Sequence, residues 1–329
     1  MGKNPKPAVK RFLSECALFL LLLTIGAYCL DALLSAGLKK SRAGDLGIWN
    51  EIYAGNINAE IVIYGSSRAA VHFDPHIIAE GTGLSTYNLG IDGHNFWLQY
   101  LRHSLFLKHN PKPKVILQSI DVSTLERRNN LYNPEQFLPY VLHDGQVADF
   151  TSVYEGFSFL DYHVPLLRYY GRRGAVLAAM RSLWDPSADE PDRVLGYKGQ
   201  ELSWNEDWNR VKQDLGFREA LLDLPTVALF ETYLRECRDL GIKVIFVNTP
   251  EFVEAHDLIT NRAEVLDVFR KMSEKFGIPL LDYSNSPISF QTKYFYNSQH
   301  MNREGAELFT EDLARALRPL LTGIRASGR

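Results

Sequence analysis

The sequence predicts an α/β protein: a three-layer parallel sheet of about five strands with helices on both faces, preceded by an N-terminal transmembrane helix. Two observations carry this. In the body of the chain, short β-branched runs alternate with longer helical patterns five times over, which calls for parallel strands joined by right-handed crossovers. Near the start, Cys16 to Leu30 (CALFLLLLTIGAYCL) carries no charge at all. At 329 residues, 46% hydrophobic and 23% charged, the chain can bury a full core and is not a disordered tail.

The head of the chain is basic and the rest acidic. Residues 1–42 hold Lys3, Lys6, Lys10, Arg11, Lys39, Lys40 and Arg42 against Glu15 and Asp31, so the overall charge of −3 divides into +5 and −8. Fifteen apolar residues reach only about 22 Å as a helix, short of a hydrocarbon core of roughly 30 Å. Phe12 to Leu34 reaches about 34 Å, with Glu15 and Asp31 near its ends, where carboxylates reach headgroups at least cost. We read a single-pass anchor over residues 1–42 and a second domain over 43–329. The competing reading is a cleaved signal peptide ending at Ser35-Ala36-Gly37. Either reading places the body outside the cytoplasm, and the bias of basic residues favours a cytoplasmic N-terminus only weakly.

Five runs bounded by Gly, Pro, Asn or Asp read as strands: Glu60 to Tyr64, Ser85 to Leu89, Lys114 to Ser119, Lys243 to Asn248 and Pro279 to Asp282. The helical patterns are Ala69 to Glu80, Phe96 to His109, Thr226 to Leu240, Arg262 to Phe276 and Arg303 to Leu317. Residues 125–225 break the alternation and read as a helical insertion. Within it, Leu166 to Trp184 sets Arg168, Arg172, Arg173 and Arg181 among aromatics. Such a segment can rest on a membrane surface; a half-buried helix pair broken at Gly171 and Gly174 is the plainer reading and the preferred one.

In open parallel sheets the reactive site lies beyond the carboxyl ends of the strands. After the first strand comes Gly65-Ser66-Ser67-Arg68, entering a helix whose N-terminal amides can hold developing negative charge. The alternative is a serine that only caps the helix. After the second strand, Gly90-Ile91-Asp92-Gly93 permits close approach of backbone to a ligand. After the fifth, His300 stands before the last helix, where an imidazole can take a serine proton if a third group holds its tautomer. Asn297 is the candidate for that third group.

Together these three segments resemble the SGNH, or GDSL-type, hydrolase superfamily, over most of residues 58–124 and 226–318. The resemblance implies a flavodoxin-like sheet, with Ser67 as nucleophile in a Gly-Asp-Ser block that here reads Gly65-Ser66-Ser67. It makes His300 the base and Asn297 its partner in an Asp-x-x-His block, and gives the oxyanion to the backbone N–H groups of Ser67 and Gly93. Two departures matter. Asn297 is a neutral amide and cannot stabilise an imidazolium by charge. The family's third-block asparagine is missing from Gln118 to Ser123, where Asp121 would repel an oxyanion and Ser119 or Ser123 remains as a donor.

The anchor, Ser66 and the long insertion look most like the membrane-anchored subset, similar to proteins of alginate O-acetylation and teichoic-acid D-alanylation. Those work beside a polytopic membrane-bound O-acyltransferase. The expected function is acyl transfer, with acetyl the expected group, to a cell-envelope or exported polysaccharide. The alternatives are an acyl-ester esterase and a non-catalytic carbohydrate-binding or scaffold protein.

Other classes fit poorly. The acidic body gives no footprint for nucleic acid. No phosphate loop or dinucleotide fingerprint follows a strand, so no cofactor is expected. Pro75 interrupts the spacing of His72 and His76 that a metal pair would need, and no metal is expected. Cys237 is the only cysteine in the body, so no internal disulfide is possible there.

Overall fold

The computed structural model describes residues 7–185, 190–205, 208, 212 and 216–326. Lys3 and Lys6 of the basic leader lie outside the described residues. By its internal contacts the chain divides into two units, Met1–Ser41 with Pro134–Glu190, and Arg42–Asn133 with Pro191–Arg329. Residues 125–225 are thus shared between both.

The second unit holds a five-stranded parallel sheet. Its strands are β1 Ile61–Tyr64, β2 Thr86–Asn88, β3 Val115–Ile120, β4 Lys243–Asn248 and β5 Leu280–Asp282, in the order β2-β1-β3-β4-β5. Every pairing is parallel: Ile61 lies opposite both Thr86 and Val115, Val115 opposite Lys243, and Phe246 opposite Leu280. This is the flavodoxin-like order, whose reversal point falls between β1 and β3. All residues of β1, β2 and β3 are buried, as expected of a parallel sheet covered on both faces.

Alternation along the strands builds two cores. Ile61, Ile63, Val115, Leu117, Ile245 and Val247 face Phe73, Ile78, Phe309, Leu313 and Leu317, so the helices Ser67–His72, Pro75–Thr82 and Arg303–Leu320 cover one side. On the other, Phe96, Phe230, Tyr233, Phe246 and Phe269 form an aromatic cluster, with the Phe96 and Phe230 centroids 4.5 Å apart. That cluster seats the helices Phe96–His109, Leu224–Asp239 and Arg262–Phe276.

Four features depart from the sequence reading. The helix expected over Ala69 to Glu80 is two helices parted at Phe73 and Asp74. Pro75 cannot donate into a preceding turn and restricts Asp74, so the chain restarts there with Asp74 accepting from the His76 N–H at 2.8 Å. A helix at Gly44–Ala54, unforeseen, precedes β1. After β5 comes a small antiparallel hairpin, β6 Phe295–Asn297 and β7 His300–Met301, so His300 sits in a strand, not a free loop. Gly174 lies inside a continuous helix, Arg173–Trp184, where a broken pair was expected.

In the first unit, Pro7–Leu38 is one helix, long and apolar enough to cross a membrane. Its Asp31 is not at a headgroup-facing end, as expected, but fully buried. The Arg168 guanidinium donates to both its oxygens, at 2.6 and 2.7 Å, and the Leu166 N–H donates at 2.8 Å. Ser35 extends the network, accepting from Arg168 and exchanging a hydrogen bond with the Tyr169 hydroxyl.

Candidate active site

The carboxyl ends of the strands deliver the expected residues to one place. Ser66 is the N-cap of the helix that follows β1, its hydroxyl oxygen accepting from the Arg68 N–H, so Ser67 occupies the first helical position. The hydrogen bond between Ser67 Oγ and His300 Nε2 is 2.7 Å long. His300 Nδ1 donates to Asn297 Oδ1 at 3.0 Å. The same oxygen accepts the backbone N–H groups of Gln299 and His300, at 3.0 and 2.9 Å. Three converging donors require the carboxamide oxygen at that position, which sets the His300 tautomer with Nδ1 protonated and the Nε2 lone pair facing the serine hydroxyl.

The imidazole is kept neutral. Burial and the nearby Arg68 guanidinium push His300 down to about 3. Tyr296 stacks on its ring, with centroids 5.4 Å apart and planes 9° from parallel. Behind it lies His72, fully buried, its Nε2 accepting the Met301 N–H at 3.0 Å and its Nδ1 donating to the Thr249 hydroxyl at 2.9 Å. Both His72 nitrogens are therefore engaged, and His76 is exposed, so the two do not form a metal pair.

A cavity of about 170 Å³ opens at Ser67, lined among others by Gly93, Asn95, Asp121, Ser123 and Glu251. Gly93 has φ +71°, and a Cβ there would meet the Tyr132 ring at 2.3 Å, so only glycine fits. Its carbonyl accepts from Arg128 at 3.0 Å. Asp121 accepts from the Ser66 hydroxyl at 3.1 Å and the Ser123 N–H at 2.8 Å. Of the two serines left open as donors, Ser123 is on the cavity wall, while Ser119 is buried against Gly65.

Sequence reasoning missed the charged group that flanks the serine, Arg68, Glu251 and Arg262. Arg68 and Glu251 form a buried ion pair, and Glu251 also accepts from Arg262 at 2.6 Å. Opposed by burial, these two guanidiniums still hold the Glu251 carboxyl down to about 2. Glu251 follows β4 and was findable by the same strand-end rule that led to Ser67. Arg68 gave no signal, because its partner is 183 residues away. Asn95, the missed neighbour of Gly93, also reaches the cavity, its carboxamide donating to the Ser123 carbonyl.

No protein-family model matches the chain, and no curated protein matches it. Among solved structures it is similar to a Bacteroides fragilis protein described as a candidate acylhydrolase, at 13% identity and TM-score 0.34, over 78% of this chain and 87% of that one. A likeness that distant carries nothing about activity.

Proposed function

We propose that this chain is a membrane-tethered, extracytoplasmic serine enzyme of the SGNH type that moves an acyl group through an ester on Ser67. The observation that carries the reading is the unbroken relay from Ser67 Oγ through His300 to Asn297 at the carboxyl edge of the sheet.

In the first half-reaction His300 Nε2 takes the Ser67 proton as Oγ bonds to the acyl carbon. The oxyanion is held by the Ser67 N–H at the helix start and by the Gly93 N–H. Collapse breaks the bond to the leaving group, which departs with the proton from His300. In the second half-reaction an acceptor hydroxyl gives its proton to His300, attacks the ester carbon and frees Ser67. A sugar hydroxyl makes this an O-acyl transfer and water makes it hydrolysis. The anchor favours transfer, since it keeps the chain beside membrane-borne acyl donors, with a polytopic acyltransferase as the partner that fits. With Arg218 paired to Glu126, Arg68, Arg128 and Arg262 against Asp121 and Glu251 leave the cavity lining with a surplus of one cation, which suits an acceptor polysaccharide carrying negative charge.

One observation favours a second reading. With a neutral amide behind it, His300 is a weak base, as expected of a site that binds an acyl sugar without cleaving it. A serine-directed phosphonate separates the two. The full chain should label on one serine and the Ser67→Ala form should not. If the native chain stays unlabelled, the binding reading replaces the catalytic one. Native, unlabelled chain supplied with an activated acyl ester, with and without an acceptor oligosaccharide, then distinguishes transfer from hydrolysis.

A further inference from the structure

The first unit carries a helix whose amphipathicity is the reverse of what water selects. On Arg173–Trp184 the buried positions are Ala175, Ala179 and Ser182, and they pack against the helix Pro7–Leu38. The large side chains point the other way: Leu177 is 66% exposed, Met180 58% and Trp184 93%, and Tyr170 just before the helix is 88% exposed. A water-facing helix puts its bulky apolar residues inward. Small residues at the helix contact and large apolar residues outward is the arrangement of helices packed together in lipid.

The contact itself is tight. A Cβ on Gly37 would meet the Ala179 carbonyl oxygen at 2.2 Å, so the two backbones touch where the apolar helix ends. Leu30 and Leu33 of that helix are exposed, as are Phe159 and Leu160 in the same unit. Arg173 and Arg181 on the helix, with Lys39 and Lys40 after the anchor, supply cations for phosphate headgroups. At 12 residues the helix is about 18 Å long and too short to cross a bilayer.

We propose that Tyr170–Trp184 is a second membrane contact: an interfacial helix that sinks its Leu177, Met180 and Trp184 face into the leaflet into which the anchor helix leads, with Asp31–Arg168 sealed between them. The occupant of this face is the bilayer, and the argument for it is continuity with the apolar surface of the anchor helix. The inference rests on the anchor reading.

The test uses the full chain in vesicles of phosphatidylethanolamine and phosphatidylglycerol, prepared with or without brominated acyl chains. The emission lost in Trp184→Phe reports Trp184 alone, and brominated chains should quench it by roughly half, as for an indole at the acyl boundary. A second variant, Leu177→Trp in the Trp184→Phe background, should be quenched likewise. If the chain floats with the vesicles but Trp184 is quenched by aqueous iodide instead, the interfacial helix is wrong and the anchor stands. Quenching by neither reagent means a protein covers the face, and again only this inference falls. Failure to float with the vesicles overturns both.

Discussion

At the scale of single residues, the site turns on what stands behind the imidazole. Asn297 orients His300 through the same three N–H groups that a carboxylate would accept, so Asn297→Asp should fold unchanged. It should raise the basicity of His300 and lift kcat/KM on an activated ester at pH 7 by at least about tenfold. On the proposed mechanism, with His300 held down to about 3, kcat/KM of the parent chain should be flat between pH 5 and 8, while Asn297→Asp should bring an acid limb into that window. A pH–rate profile of both forms checks this; identical profiles would show that His300 is not the base. Ser67 and Gly93 were legible as candidates because each follows a strand of the parallel sheet, and Asn297 and His300 because they stand between its last strand and the last long helix. Ser66–Asp121 and Arg68–Glu251 were not, because a cap serine and a helix arginine look the same whether their partner is solvent or a carboxylate from another strand.

At the scale of elements, the strands were legible to within a residue: β1, β3 and β4 because two-sided burial writes itself as a largely apolar run, the edge strands β2 and β5 because Gly, Pro and Asp residues bound them. The helices Phe96–His109 and Arg262–Phe276 coincide with their expected bounds for a related reason, having long, regular periods. The hairpin β6–β7, a ladder of two or three residues, leaves no such trace, although it carries both Asn297 and His300. Nor did composition reveal that Asp31 is an internal partner rather than a headgroup-facing end. Both Asp31 and Arg168 are fully buried, so Asp31→Ala strands a guanidinium at a cost of about 3–5 kcal/mol. Hydrogen exchange should then show lost protection across Leu166–Ser182 with the sheet unaffected. The double replacement Asp31→Leu with Arg168→Leu should recover most of that protection, because no charge is left unpaired.

For the molecule as a whole, buried neutral histidines make stability depend on pH. Burial holds His94 down to about 4 and His103 down to about 3, while an unfolded histidine takes up its proton near pH 6.5. Between those values the unfolded chain binds more protons, so stability is full above about pH 6.5 and falls as the pH drops. Glu251, held down to about 2, acts in the same direction at lower pH, through the loss of its charge. His103 isolates the effect. Neither of its ring nitrogens has a hydrogen-bond partner among the described residues, and it sits edge-on between Tyr64 and Tyr233. Denaturant unfolding at pH 7 and pH 5 should show His103→Phe losing about 2 kcal/mol less than the parent over that interval; equal losses would mean His103 is already charged or solvated in the fold.

Ser67 and His300 are separated by 233 residues, and the second is delivered by a hairpin braced against the final long helix. A polypeptide made or exported N-terminus first therefore displays its alcohol long before its base arrives. On the proposed chemistry, no acyl ester can be built on an unfinished copy, so completion of the chain is itself the switch that would arm it.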